Sequence, residues 1–578
     1  MKKLLLLYFI LTSYIWSASY YLATTGVDTN AGTQAAPFLT LQKAFNVAQA
    51  GDVINLGVGN FGSASTVRSG TSTSPITIQG IAGSEALAIT NIHSYYIYNN
   101  IKLTGRINFN LPSTNCIVQD CVFDPIGTIY GNNIAMQAGT LTDKGIRPSG
   151  HIIRRNQFLN AKANGVGVSL CGRNHLVEGN YFSSQTGADA VWIFANDSTI
   201  RGNTFQNWTN LSGNPVIHAD LFQSWGNNSD VALNCLIENN LGLDCLYTQL
   251  GNVTDDKRNL TIANWTWRNN VWIRVSGPLN LYSPGHKFLN ETYFESPRLT
   301  HSASPVIRTS TDRGSAHNTT IYNCIWYKAG SNPANTGHGF YGLVAATGVP
   351  LLNFVADYNS VIGVGAGTIK AGSWTSSGRN VNGLNGVDPL FVNGINPMTA
   401  AEVALTANSP AILEGIDLSS YFNTDHNGAG RAGWDMGAIA YTIGTPGNPA
   451  PPPTPPTDTT VPTILSSTID STGTQLNINY SENITGVNVT HYTIADVTLS
   501  AASGTGSVRT FTITPAIITG VVKTLGYTSG SGRTADITGN LLATASALPI
   551  TNSSLVPVAE SPKKIIKRRI ARSSAGLQ

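Results

Sequence analysis

The sequence predicts an all-β chain whose main body is a right-handed parallel β-helix, a solenoid of stacked coils. Three observations predict it: a repeat with a period in the low twenties, an asparagine at a fixed place in that repeat, and no apolar spacing of helical type. Ile153-Arg-Arg-Asn156-Gln-Phe158 returns as Val177-Glu-Gly-Asn180-Tyr-Phe182 and as Ile200-Arg-Gly-Asn203-Thr-Phe205. Weaker copies run Trp267–Trp272, Leu289–Phe294 and Ile321–Trp326, with Asn270, Thr292 and Cys324 in the asparagine place. Leu236–Leu241 is a further copy that puts Asn239 or Asn240 there. Short β-rich segments at such a period cannot bury an apolar face alone and must stack. Stacking at about 4.8 Å turns each slot into a column, and a column of Asn amides can bond from coil to coil.

The first 19 residues read as a signal peptide: Lys2-Lys3, an apolar run Leu4–Leu11, and Ser17-Ala18-Ser19 with small residues at the −3 and −1 positions. The run is too short for a permanent membrane span, and no later segment is apolar for long enough. An exported product, secreted or held at the cell surface and beginning near Tyr20, is the expectation.

A first strand at Tyr21-Leu-Ala leads into a short helix after Pro37, in which Leu41, Ala44, Phe45 and Ala48 form one apolar stripe. Such a stripe suits a helix that caps the open end of the solenoid. Val53-Ile-Asn-Leu56 starts the coils.

Composition supports an extracellular solenoid. Only 11% of residues are charged, against 58 glycines in 578 residues. The net charge of +3 comes from the two ends: Lys2 and Lys3, and six basic residues in the last sixteen. Without those eight, 26 basic residues face 31 acidic ones, so the body lacks the basic stripe that nucleic acid requires. Six cysteines in a chain this long are expected as buried free thiols, with Cys235–Cys245 the pair best placed to bridge.

Two stretches carry a family resemblance. Tyr20–Asp28, Pro37–Ala44 and Ala50-Gly-Asp52 resemble the opening of secreted pectate-lyase-like right-handed β-helix proteins, and Val387–Phe391, Asn408–Ala411 and Trp434–Tyr441 resemble their closing segment. The resemblance spans residues 20–441 and implies the fold; its members include lyases, hydrolases, epimerases, phage tailspikes and adhesins, so it implies no one chemistry. The β-helix is expected over 20–443 and a stiff proline-rich linker over 444–461. Residues 462–553 alternate like a small β-sandwich, and Asp458–Pro462, Tyr480-Ser-Glu482 and Asp536–Asn540 resemble bacterial immunoglobulin-like modules. Residues 554–578 read as a basic, disordered tail.

Solenoids carry their sites beside the coils with the largest insertions. Gln206–Val216 is such an insertion, and it delivers His218-Ala-Asp220-Leu-Phe-Gln223-Ser-Trp225. The preceding coil offers Asp189-Ala-Val-Trp192, the following one Asp244-Cys-Leu-Tyr247. Aligned so, Asp189, Asp220 and Asp244 form a column beside His218, while Trp192, Gln223, Trp225 and Tyr247 face outward. Aromatic rings stack on the C–H faces of sugars, and amides bind their hydroxyls. The Asp column has two readings, capping turn amides or lining a groove. In a groove, carboxylates about 5 Å apart supply an acid and a base or nucleophile for glycoside hydrolysis. Three stacked carboxylates would equally suit Ca²⁺, which acidifies the C5 proton of a uronate for β-elimination. His218 could act as base in either scheme; a lyase also needs a basic residue at the groove, for which Lys287 and Arg308 are candidates that spacing alone does not place. The expected function is cleavage or modification of a polysaccharide by a lyase or hydrolase. A non-catalytic, glycan-binding surface adhesin is the alternative, and a phage-type tailspike, against which the leader argues, is third.

Overall fold

The computed structural model describes residues 17–441 and 461–556, apart from 126–131, 137–147, 162–164, 210–218, 226–230, 246–247, 256–260, 276, 295–304, 309–313, 328–342, 345–351, 363–379, 483, 486, 488, 504–506, 529–533 and 537–541. The chain divides into two compact units, residues 1–455 and 456–578.

The first unit is a parallel β-helix. Among the described residues, sheet I has thirteen parallel strands, from Ser19–Leu22 and Val53–Leu56 to Thr320–Tyr322 and Val355–Asp357. Sheet II takes the short strands after the asparagine turn, among them Gln157–Leu159, Tyr181–Ser183, Thr204–Gln206, Leu241–Leu243, Val271–Ile273 and Thr292–Phe294. Sheet III holds the longer strands Val166–Arg173, Asp189–Asn196, Ala219–Trp225, Thr248–Thr254, Gly277–Tyr282 and Pro305–Arg308.

At the start, Leu41–Val47 is helical, with Thr40 as N-cap accepting the Lys43 N–H, and Leu41, Ala44 and Phe45 are buried. Phe45 meets Tyr96 edge to face at 5.9 Å. The first strand begins at Ser19, paired with Val53, and the Ala18 N–H donates to Asp52 at 2.7 Å, so order reaches into the expected leader. Residues 1–16 lie outside the described residues.

The asparagine column is present inside the coils. The backbone N–H of Cys121 donates to Asn156 Oδ1, that of Asn156 to Asn180, Asn180 to Asn203, Asn203 to Asn240 and Asn240 to Asn270, all at 2.9–3.0 Å. Each Nδ2 donates to the main chain of the preceding coil. Asn240, not Asn239, fills its slot. Thr292 does not fill its own, because the pairing of Val271 with Thr292 puts Glu291 there instead. Glu291 Oε1 accepts the Asn270 N–H and Nδ2 at 3.0 and 2.8 Å, as an Asn oxygen would. Cys324 holds its place and donates its N–H to Asn359.

A second internal column lies five residues ahead of the first. Cys116 N–H donates to His151 Nδ1, His151 N–H to His175 Nδ1 and His175 N–H to Ser198 Oγ. The two imidazoles stack at 5.4 Å, and burial holds His175 down to about 4.

Left-handed residues mark the turns. Among the described residues, in ten coils a positive-φ residue before sheet I (Asn174, Asp197, Asn234, Asn264 and their equivalents) is followed five residues later by another in the asparagine turn (Gly179, Gly202, Asn239, Asn269). Five residues on, Asn207, Asp244 and Arg274 repeat the conformation after sheet II. Those two segments are therefore fixed in length, although successive asparagine slots are 24, 23, 37, 30 and 21 residues apart. The variation falls between the end of sheet II and the next strand of sheet I, on both sides of sheet III.

Residues 391–441 fold back along the side of the helix as a strap. Phe391, Val403, Leu405, Ala411 and Met436 pack on Val271, Ile273, Phe294, Ile325 and Tyr327, which sheet II points outward. Asn269, Asn290 and Asn323 donate from the turns to the carbonyls of Thr424, Asp435 and Ile416 at 2.7–2.9 Å, and Arg274 donates to Pro397 O at 2.8 Å.

The second unit has a five-stranded sheet (Thr498–Ser503, Val508–Thr514, Gln475–Tyr480, Ile464–Ile469, Thr551–Asn552) and a three-stranded one (Tyr492–Ile494, Thr524–Tyr527, Ala545–Pro549). Ile469, Leu476, Ile478, Phe511, Leu525 and Tyr527 form its core. Residues 442–460 and 557–578, which hold most of the expected linker and tail, lie outside the described residues.

All six cysteines are buried free thiols. Cys235 and Cys245 donate to separate main-chain carbonyls, Ala195 O and Phe205 O, so the one pair singled out for bridging does not bridge.

Candidate functional site

Because coil length varies only around sheet III, that sheet's outer face is where the chain spends its insertions. Alternation sends Val168, Val191, Phe222 and Leu279 into the core and the residues after them outward. One outward row runs Ser169, Trp192, Gln223, Asn252, Asn280 on successive strands. A second runs Cys171, Phe194, Trp225, Thr254, Tyr282.

Where the rows cross the strands Asp189–Asn196 and Ala219–Trp225, three rings interlock edge to face. Trp192 lies 5.3 Å from Trp225, and Phe194 lies 4.6 Å from Trp225. Phe194 is buried while both indoles stay partly exposed. Next along the face come the amides: Asn252 Oδ1 accepts the Thr254 hydroxyl at 2.7 Å, and Asn280 Nδ2 donates to Gln249 Oε1 at 3.1 Å.

Asp189 opens its strand, where alternation breaks. Its Oδ2 accepts the indole N–H of outward Trp192 at 2.6 Å and its Oδ1 accepts the Asp220 backbone N–H at 2.7 Å. That is acceptor use on both oxygens, the pattern of a carboxylate. Asp220 stands on the next coil in the same register and is wholly buried.

Asp244 does not join them. The register pairs Asp220 with Gln249 and Gln223 with Asn252, so the column expected from sequence is displaced by five residues in that coil. Asp244 sits at the left-handed turn after sheet II, equivalent to Asn207, and Arg274 of the following coil binds it through Nε–Oδ1 at 2.5 Å and Nη2–Oδ2 at 2.9 Å. Its role is to tie two turns together. Tyr247 and His218 lie outside the described residues, and the register gives Val166 as the partner of Asp189. Lys287 belongs to sheet I, paired with Thr266 and Thr320, and is not on this face; the Arg308 side chain is outside the described residues.

Among the described residues no three His, Cys, Asp or Glu side chains converge as a metal site, so the three-carboxylate arrangement proposed for Ca²⁺ is not formed by Asp189, Asp220 and Asp244. No described helix is long and apolar enough to cross a membrane. A separate cleft of about 520 Å³ lies near the end of sheet III, lined by Asp255, Asn264, Pro284, Ser315, His317 and Asn318 among others.

A family model described as "Protein of unknown function (DUF1565)" matches residues 24–288. No curated protein matches the chain. Among solved structures, the chain is similar to pectate lyase Pel9A, at 14% identity over 75% of this chain and 98% of that one, with a TM-score of 0.39. It is similar to XylC in complex with xylose, at 11% identity over 73% and 98% and a TM-score of 0.38. A mannuronic-acid-specific polysaccharide family 6 lyase from human gut microbiota is 15% identical over 61% of this chain and 78% of its own, with a TM-score of 0.35.

Proposed function

We propose that this protein is exported and engages a polysaccharide along the outer face of sheet III, where it cleaves or modifies it. The observation that carries this reading is the Trp192–Phe194–Trp225 cluster beside the amides of Gln223, Asn252 and Asn280, on the one face where coil length varies. Two part-exposed indoles offer apolar ring faces, and the amides offer donors and acceptors at the strand spacing. Asp189, bonded to the Trp192 indole, and Asp220, its register partner on the next coil, are the candidates for acid or base work. His218, two residues before Asp220, is a further candidate.

A second reading, glycan binding without turnover, is favoured by one observation: Asp220 is wholly buried and Asp189 is already engaged by two donors. One experiment separates the two. The purified chain and its Asp220→Asn and Asp189→Asn variants are incubated with a polysaccharide panel, and both unsaturated uronate absorbance and new reducing ends are followed. Turnover by the parent that either substitution removes, with the melt unchanged, supports the enzyme. Binding without turnover supports the binder. Loss of activity in EDTA and recovery with Ca²⁺ would mark a metal-assisted lyase.

A further inference from the structure

We infer that the chain held on this face is an uncharged glycan rather than a polyuronate; the inference rests on the reading of sheet III as a glycan-binding face. The first ground is the chemistry of the surface. Trp192, Gln223, Asn252 and Asn280 follow one another on four adjacent strands, with Trp225 beside them, and each is an aromatic ring or a neutral amide. Rings reward the C–H faces of a sugar, and amides reward hydroxyls, which both donate and accept. A uronate carboxylate only accepts, and its usual protein partner is a guanidinium fork or an ammonium group.

The second ground is electrostatic. The Asp189 carboxylate is fixed against the Trp192 indole by a 2.6 Å hydrogen bond, so the ring that would stack a sugar carries an acid at its edge. Asp220 follows on the next coil. A uronate ring stacked on Trp192 would bring its own carboxylate within a few ångströms of Asp189, and like charges that close repel strongly where water is partly excluded. A CH₂OH group in the same place is neutral and meets an acceptor it can donate to. Asp189 thus serves as a positioning residue that sets the indole plane and as a filter on ligand charge. From Ser169 to Asn280 the outward row crosses four strand gaps, about 19 Å at 4.8 Å each, which accommodates a run of several sugars along the solenoid axis.

The test compares ligands that differ only in charge. Polygalacturonate, polymannuronate and polyglucuronate are each offered to the full chain in native form and after reduction of their carboxyls to CH₂OH, alongside a neutral β-glucan and a xylan. Binding is read by tryptophan fluorescence and affinity electrophoresis at low salt. The expected result is that every backbone that binds does so at least tenfold tighter in its neutral form, or that only the neutral β-glucan or xylan binds. Trp192→Ala and Gln223→Leu, both checked for an unchanged melt, should weaken that binding. Asp189→Asn should narrow the gap between neutral and charged forms. Equal or tighter binding of native polyuronate, still dependent on Trp192, overturns the charge inference and leaves the glycan-binding reading standing. Binding to none of these polymers, or binding indifferent to both Trp192→Ala and Gln223→Leu, overturns that reading and this inference with it.

Discussion

Glu291→Gln should change the pH dependence of stability more than stability itself. Glu291 is fully buried in the asparagine column, where burial pushes its carboxyl up from 4.5 to about 8 against the pull of the Asn270, Trp272 and Tyr293 donors. The folded-state value lies above the unfolded one, so between pH 4.5 and 8 the folded chain keeps a proton that the unfolded chain has released. The contribution is whole below 4.5 and is lost as pH climbs to about 8, an upper bound of about 5 kcal/mol across the window. A Gln has no proton to lose. Its Oε1 can still accept the Asn270 donors, but its Nε2 then faces the Trp272 N–H, which accepted geometry puts at 2.9 Å, and that mismatch costs about 1–3 kcal/mol at every pH. The variant should therefore melt below the parent at pH 5 and above it at pH 9, by several degrees in each case. Thermal melts followed by circular dichroism across pH 4–9 read this directly. Two curves that run parallel through the window would show that Glu291 does not titrate there.

Three further outcomes follow from the coil interior and the division of the chain. Asn180→Leu should destabilise the helix by about 1–3 kcal/mol, read as a lowered melting temperature, because the Asn156 N–H and Nδ2 both lose the oxygen they share. Deleting residues 445–578 should leave a cooperatively melting β-helix, since the two units are compact separately; loss of the cooperative transition on truncation would show a shared core. The thiols should be silent to a thiol reagent in the native protein and all six should react in denaturant, because Cys116, Cys121, Cys235 and Cys245 are buried and pushed up to about 12.

Much of the solenoid was legible because its slots recur. Asn156, Asn180, Asn203 and Asn270 announce themselves by spacing and by the aromatic or apolar residue two places on. The slot at Glu291 was misread as Thr292, since the column needs an acceptor oxygen and not an amide as such, and a carboxyl serves. The inner column of His151, His175 and Ser198 carries the same 24- and 23-residue spacings as the asparagines, a signal present in the sequence but hidden by the change of residue type. Asp244 falls out of line because the coil between Asn203 and Asn240 also gains length after its sheet III strand, where no slot residue keeps count. A matching Asp-x-x-aromatic pattern then mimics register. Trp192, Gln223 and Trp225 lie on the side of their strands that alternation gives them, since alternation within one strand needs no knowledge of loop length.

The strap over sheet II has a consequence for how the chain is made. Its residues lie 93 to 162 positions downstream of the turns they bind. A chain that emerges N-terminus first leaves Val271, Ile273 and Phe294 uncovered until about a hundred further residues have followed them. During that interval an apolar stripe is open to any neighbouring nascent chain, so coils can form early but the molecule is not sealed until Tyr441 has emerged. A chain that ended before residue 391 would stack its coils with one bare apolar flank, a surface prone to aggregation.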